Sequence, residues 1–288
     1  MKKVVVGLLI VFAYLAAYLY ININVSGLVA LVGSLDLFFD AALLRDIPAM
    51  LEAVNSRSLS GYVLIVSMIL SSVIFVLFTL MVNYKNLRKP GWFKGFKGLD
   101  LVFTLSFAVG CALLVAFLLI YIFPDFINSM PVEVQEVFAS MAATSPWLML
   151  LTVGVFAPVA EEVLFRGAIF NVLKNRINVG VAIVVSAVLF AAFHMNWYQA
   201  SYALVLGLVL GLIAYKSGSL ILPIIFHMVY NILVSLPELL PKSLMDFLFI
   251  ESYVFPVLGL LFFNAGLVYF LGRKVDVEES PVGDEVLS

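Results

Sequence analysis

Long apolar runs separated by short polar stretches are the dominant pattern of this chain. Eight of these runs approach the length of about 20 residues that a helix needs to cross a bilayer. The pattern therefore predicts an all-α fold, a polytopic membrane bundle of about eight transmembrane helices. The predicted spans are Val4–Ile23, Gly61–Asn83, Leu99–Phe123, Trp147–Phe165 (or on to Asn175), Val179–His194, Tyr198–Tyr215, Ser219–Leu236 and Tyr253–Leu271.

Composition strengthens this prediction, because 64% of the residues are hydrophobic and only 12% are charged. Such a chain is not a water-soluble globule, and the lipid bilayer is its expected surrounding. No stretch between the runs is rich enough in Gly, Ser or charge to divide the chain, so residues 1–288 are expected to form one integral-membrane domain. The net charge of −2 and the scattered basic residues give no basis for a nucleic-acid partner.

Basic residues follow alternate apolar runs. They are Lys2, Lys3, Lys85, Arg88, Lys89, Lys94, Lys97, Arg166, Lys174, Arg176, Lys216, Arg273 and Lys274. With eight spans all of them fall on one side of the membrane, while the remaining loops are mostly acidic. By the positive-inside rule, both termini are predicted to be cytoplasmic.

The most unusual charged residues are Glu161, Glu162 and Arg166, which come directly after the apolar run Leu148–Ala160. An ionised side chain near the bilayer centre costs about 2.5–3.5 kcal/mol on insertion scales, so such residues need a partner and a purpose. On a helix, Glu162 and Arg166 are spaced for an ion pair. Glu161 points about 100° away and lacks such a local partner, so we predict that it is the reactive carboxylate. The competing interpretation ends the helix near Ala160, with all three charges among lipid headgroups.

Two histidines occur in the chain, His194 and His227, and both lie inside apolar segments. Phe190 precedes His194 by four residues and Asn231 follows His227 by four, so each pair shares a helix face. A lone histidine in a span is commonly a hydrogen-bonded packing residue. The coincidence of two histidines, an unpaired glutamate and an asparagine instead predicts a joint polar site, within a catalytic core of about residues 147–236.

The predicted boundaries leave one conflict of depth. Glu161 and His227 fall near the middle of their spans, whereas His194 falls at the outer end of the fifth span. Either a helix is tilted or broken here, or one boundary is misplaced.

Each of these side chains has a chemistry that fits hydrolysis. A carboxylate in apolar surroundings can act as a general base, so Glu161 is predicted to activate a water molecule that His194 shares. Asn231 and His227 offer N–H donors that could hold a developing oxyanion. The expected reaction is the hydrolysis of a peptide or other acyl bond without a covalent intermediate.

Signatures of other hydrolases are absent from the sequence. It contains no His-Glu-x-x-His motif of zinc proteases, and no Gly-x-Gly-Asp or Gly-x-Ser-x-Gly motif. No cofactor is therefore expected. Zinc stays open as the alternative, because Glu161, His194 and His227 would supply three ligands and leave one position for water.

Three motifs follow one another between Leu148 and Leu236. They are Glu161-Glu162-x-x-x-Arg166-Gly167, Phe190-x-x-x-His194 and His227-x-x-x-Asn231, with Gly207, Gly211, Tyr215 and Ser217-Gly218-Ser219-Leu220 between the last two. Together they resemble the CAAX prenyl endopeptidase and bacteriocin-processing (CPBP, or Abi) family of intramembrane proteases. The resemblance implies a glutamate-dependent mechanism with these roles: water activation by Glu161 and His194, shaping of the site by Glu162 and Arg166, and an oxyanion hole from His227 and Asn231.

The resemblance also implies substrates that are membrane-anchored or prenylated proteins, or bacteriocin-like peptides. Two other classes of function stay open. One is a catalytically silent scaffold or bacteriocin-immunity protein, against which the complete motif set counts. The other is a proton-coupled transporter that uses the same glutamates and histidines as a relay, against which the lack of an inverted repeat counts.

Overall fold

The computed structural model describes residues 2–40, 46–58, 60–83, 95–123, 125–126, 129–240 and 254–275. This described part contains ten α-helices and no strand, which confirms the all-α prediction. The helices are α1 (Lys2–Gly33), α2 (Ile47–Ser58), α3 (Gly61–Val82), α4 (Gly98–Phe117, continued by a π-helical turn Leu118–Ile122), α5 (Val132–Thr144), α6 (Pro146–Lys174), α7 (Val179–Phe193), α8 (Trp197–Ser217), α9 (Ile221–Ser235) and α10 (Val254–Gly272).

All eight predicted spans coincide with apolar helices. In the described part of the chain, six helices are long and apolar enough to cross a membrane: α1, α3, α4, α6, α8 and α10. The other two, α7 and α9, have 15 residues each, and each is therefore about 22 Å long. This is less than the roughly 30 Å of the hydrocarbon core. The chain is a multi-pass membrane protein in which two short helices lie among long ones.

Helix α1 extends well beyond the predicted end of the first span at Ile23, and that boundary is wrong by ten residues. Two asparagines follow Tyr20 without ending the helix. The side-chain amide of Asn22 donates to the Tyr18 carbonyl at 3.0 Å, and that of Asn24 donates to the Tyr20 carbonyl at 2.8 Å. Because the preceding turn satisfies these amides, they are compatible with a helix that continues into the bilayer.

Helix α6 runs uninterrupted through the acidic pair to Lys174, so the interpretation that ends it near Ala160 is wrong. Its start is fixed by Ser145, whose hydroxyl oxygen accepts the Leu148 N–H at 3.3 Å. Two π-helical segments, Thr152–Phe156 and Val163–Phe170, flank the turn that carries the glutamates. All eight residues of the second segment are buried, so α6 is the central helix of the bundle.

Glycines of α8 permit α7 to pack closely against α8. A methyl group on Gly207 would lie 2.9 Å from the Cα of Ala187, and one on Gly211 would lie 2.9 Å from Cγ2 of Ile183. Small residues at this spacing let two helix backbones approach each other in a membrane. This close approach brings α7 and α8 against the polar turn of α6.

Two of the basic residues predicted to share one side, Lys216 and Arg273, lie together at one end of the bundle. Arg273, after α10, pairs with the buried Asp100 of α4 through Nε at 2.7 Å, and the Tyr269 hydroxyl donates to the same carboxylate at 2.7 Å. The ammonium of Lys216, in α8, donates to the carbonyl oxygens of Leu271 and Arg273. The start of α4 and the ends of α8 and α10 are thereby joined. Lys85, Arg88, Lys89 and Lys94 lie outside the described residues.

Candidate active site

A buried ion pair forms the base of the polar site, as its spacing on α6 predicts. Nη1 of Arg166 lies 2.8 Å from Oε1 of Glu162, and neither side chain is exposed. Nη2 of Arg166 donates to the carbonyl oxygen of Gly207 at 2.9 Å. This bond to the backbone of α8 means that the pair also ties α6 to α8.

His227 of α9 is held by the same carboxylate. Its Nδ1 lies 2.9 Å from Oε1 of Glu162. An ionised carboxylate can only accept, so Nδ1 of His227 carries the proton of this bond. The bond fixes the ring so that Nε2 faces the second glutamate, with 3.7 Å between Nε2 and Oε2 of Glu161. Two adjacent glutamates therefore flank one imidazole from two sides.

Glu161 is the accessible member of the acidic pair. Its side chain is 16% exposed, whereas that of Glu162 is completely buried. In the described part of the chain no hydrogen bond to the Glu161 carboxylate is present. Tyr18 of α1 and Tyr202 of α8 lie close enough to Glu161 to interact with its charge. The Glu161 oxygens are thus available to a water molecule or a substrate, while those of Glu162 point into the protein.

His194 lies at the C-terminal end of α7. Its Nδ1 is 3.0 Å from the carbonyl oxygen of Phe190. A carbonyl can only accept, so Nδ1 carries a proton, and Nε2 of the neutral ring is left with a lone pair. The following turn is fixed by Asn196, whose side chain donates to the His194 carbonyl at 2.8 Å and caps α8 by accepting the Gln199 N–H.

The short length of α7 resolves the conflict of depth. Since α7 is shorter than the hydrocarbon core is thick, its end does not have to lie at the membrane surface. Phe190, one turn before His194, is buried, and its ring contacts both histidine rings, with centroids 5.1 Å from His194 and 5.7 Å from His227. Cζ of Arg166 lies 4.8 Å from the centre of the same ring. Phe190 thus places all three side chains in one site.

Asn231, one turn after His227, faces α6. Its side-chain amide donates to the carbonyl oxygen of Val153 at 2.8 Å. Val153 belongs to the first π-helical segment of α6. A primary amide has two N–H groups, so the second is available for another acceptor.

Glu161, His194 and His227 are the three ligands that the zinc alternative requires. Across the described ranges, no three His, Cys, Asp or Glu side chains come together as metal ligands. Glu161 and His227 face each other, and the bond from Nδ1 of His194 to a backbone carbonyl leaves its Nε2 atom with a lone pair.

Sequence reasoning did not identify two contributors to the site. Tyr18 comes from α1, far from the motifs, and its ring packs against that of Phe193 with centroids 4.9 Å apart. Asn196 stands outside the three motifs, although an asparagine just before a helix is a recognisable N-cap signal. A tyrosine within an apolar run has no such signal, so its role becomes visible only from the packing of α1.

Comparison with known proteins gives a family match over the region that contains the three motifs. The profile of the family described as "Type II CAAX prenyl endopeptidase Rce1-like" matches residues 143–233, about a third of the chain. A curated protein of Escherichia coli, named "Uncharacterized 24.3 kDa protein", is 30% identical over 107 residues, which are 35% of this chain and 49% of that protein. The chain therefore spans about half the length of this relative. No solved structure gives a significant match. The resemblance to CAAX-type proteases is confirmed for residues 143–233.

Proposed function

We propose that this chain, whose residues 143–233 match the Rce1-like CAAX prenyl endopeptidase family, is an endopeptidase that cleaves membrane-anchored proteins. The observation that carries the proposal is the division of labour between two adjacent glutamates. Glu162 is fully buried and bonded to Arg166 and His227, whereas Glu161 is partly exposed and faces Nε2 of His227. One carboxylate thus holds the site together, and the other is available for chemistry.

Water activation belongs to Glu161 and His194 in this proposal. Glu161 accepts a proton from water while the water oxygen forms a bond to the scissile carbonyl carbon. Nε2 of His194 has the lone pair that orients this water, because Nδ1 is bonded to Phe190. When the C–N bond breaks, the proton passes to the leaving amine. No covalent intermediate with the protein is formed.

The oxyanion of the tetrahedral intermediate requires donors on the opposite side. The second N–H of Asn231 is one, since the first is bonded to Val153. Nε2 of His227 is the other: it receives from Glu161, 3.7 Å away, the proton that water has lost, and it returns this proton to the leaving amine when the C–N bond breaks. Glu162, Arg166 and Phe190 position these groups and do not touch the reacting atoms.

The substrate we propose is the end of a lipid-modified or otherwise membrane-anchored protein. Polar residues that lie among apolar membrane helices are more accessible to a segment that is already at the bilayer than to a soluble protein. The family match supports prenylated, CAAX-type C-termini as the first substrates to test.

The test is cleavage of quenched fluorescent peptides by the purified chain in detergent. The peptides would include farnesylated C-terminal sequences and their unmodified counterparts. Wild type would be compared with Glu161→Ala, His194→Ala and, as a control, Glu133→Gln, a change at an exposed glutamate of α5. We expect cleavage by wild type and the control, and none by the two site variants.

Further arms of the same experiment separate the alternatives. Activity that survives a strong chelator supports the metal-free mechanism, and activity that is lost to it and restored by zinc overturns that mechanism. No cleavage of any peptide by wild type would contradict the proposal. Proton-linked flux in liposomes that depends on Glu161 would then indicate a transporter, and bacteriocin resistance that survives Glu161→Ala would indicate an immunity protein or scaffold.

A further inference from the structure

A polar cavity lies beside the proposed active site, toward the basic end of the bundle. It has a volume of about 580 Å³ and lies between α1, α6 and the α8–α9 turn. Tyr14 of α1 lines it, whereas Tyr18, one turn further along α1, is near Glu161. Arg166 is the only proposed site residue that reaches both regions. The volume is typical of a small-molecule site.

The charged side chains among the described residues that line this cavity are all basic. Arg166, Lys174 and Arg176 line it, and no carboxylate is among the described residues that do. Amides of Asn83, Asn171 and Asn175 add polar groups to the wall. Since Glu162 neutralises Arg166, the charge presented to the cavity comes from Lys174 and Arg176, and two cations without an acid favour an anionic ligand.

Arg166, which also lines the cavity, has one donor that its protein partners leave unused. Its side chain is completely buried, and its Nη1 and Nη2 atoms are bonded to Glu162 and Gly207. Its Nε is a buried donor without a hydrogen-bond partner among the described residues. A buried donor left unpaired costs about 1–3 kcal/mol, so native proteins usually provide an acceptor.

The surroundings of the cavity indicate which anion it accepts. A second cavity of about 490 Å³ is lined by Lys3 and Val6 of α1, and it shares Asn175 and Arg176 with the first. Beside it, the N-terminal part of α1 exposes apolar side chains, among them Val5 and Leu9. Acyl chains can pack on this face while a headgroup enters between the helices, and basic pockets of this kind bind anionic headgroups.

We propose that this cavity is a binding site for a phosphate group, carried by the headgroup of an anionic phospholipid from the leaflet at the basic end of the bundle. Lys174 and Arg176 bind the phosphate at the mouth, and Arg166 supplies the innermost donor. The site is separate from peptide hydrolysis and does not rest on the proposed protease function.

The proposal is tested by binding of fluorescent phosphatidylglycerol to the full chain in phosphatidylcholine nanodiscs. The test variant is Lys174→Gln/Arg176→Gln. The matched control, Lys97→Gln/Lys274→Gln, removes two charges from exposed side chains at the same end, outside both cavities. The variant Lys174→Arg/Arg176→Lys keeps both charges, so it should still bind lipid if charge is what the site requires. Thermal unfolding of every variant shows whether a loss of binding comes from misfolding.

We expect saturable binding to wild type, to the control and to the charge-retaining variant. Affinity should fall by about 30-fold in the Lys174→Gln/Arg176→Gln variant, because each cation contributes separately to binding of an anionic lipid. Equal affinity of this variant and the control would overturn the proposal, as would equal binding of phosphatidylcholine. Displacement of the lipid by millimolar inorganic phosphate would show that the site recognises phosphate itself. Displacement only by intact anionic lipid would show that the acyl chains are also needed, and either result supports the site.

Discussion

Nδ1 of His227 lies 2.9 Å from Oε1 of Glu162, and this bond joins α9 to α6 at the centre of the bundle. The same oxygen also accepts from Arg166. One buried carboxylate oxygen therefore accepts hydrogen bonds from two side chains that belong to two different helices. This arrangement assigns Glu162 to structure and leaves the adjacent Glu161 for chemistry.

Loss of the Glu162 charge should destabilise the protein strongly. Glu162→Ala leaves Arg166 buried without its counter-ion and His227 without its acceptor, and breaking a buried pair in this way costs about 3–5 kcal/mol. The double variant Glu162→Gln/Arg166→Met should recover most of this loss, because it removes the cation and keeps an acceptor for His227. Thermal unfolding in detergent measures both. A single variant as stable as wild type would contradict the structural role of the pair.

Removal of the Asn231 amide should affect the reaction more than the fold. Asn231→Ala is expected to lower kcat by about 10²–10³-fold, the usual effect of losing one oxyanion donor. The bond to Val153 is lost as well, at about 0.5–1.5 kcal/mol of stability. Asn264→Ala is the matched control, since this exposed asparagine of α10 also donates to a backbone carbonyl, that of Leu260. Equal activity of the two variants would exclude Asn231 from the oxyanion site.

Gly207 should not tolerate a side chain. Its methyl group in Gly207→Ala would lie 2.9 Å from Cα and Cβ of Ala187 and 3.3 Å from the Phe190 ring, so α7 must move away. We expect a loss of about 1–3 kcal/mol in stability, and lower activity, because Phe190 and the acceptor of Arg166 both shift. Gly27→Ala in α1 is the control: no atom lies within 4 Å of its added methyl group, so it should be neutral or slightly stabilising.

The cluster around Asp100 should matter for stability alone. Asp100→Asn removes the counter-ion of Arg273 at a buried position, with an expected loss of about 3–5 kcal/mol. Tyr269→Phe removes a single hydrogen bond of the same cluster and should cost only about 1 kcal/mol. Activity per folded molecule should stay at the wild-type value in both. A selective loss of activity would show that this end of the bundle communicates with the active site.

Much of the fold and part of the site follow from the sequence because membrane helices have a strong and local signal. Apolar runs located eight of the ten described helices, and the spacing of Glu162 and Arg166 located their ion pair. The end of α1 was misplaced because Asn22 and Asn24 satisfy their amides on their own helix, which residue type alone does not reveal.

The sequence did not predict which residues pair between helices. The pairing of His227 with Glu162 joins residues 65 positions apart, and nothing local indicates which of two adjacent glutamates accepts it. The bond of Asn231 to Val153 depends on a π-helical segment that the apolar pattern does not encode. The cavity lined by Lys174 and Arg176 likewise arises from the packing of α1 against α6.

The central claim is that Glu161 is the general base, whereas Glu162 stabilises the structure of the site. A paired measurement of activity and stability tests it most directly. Glu161→Gln and Glu162→Gln are the same change at adjacent residues of one helix. Peptide cleavage and thermal unfolding would be measured on both purified variants beside wild type. We predict that Glu161→Gln unfolds like wild type and cleaves nothing, while Glu162→Gln unfolds at a lower temperature. If Glu161→Gln kept its activity, Glu161 would not be the general base and the account would be wrong.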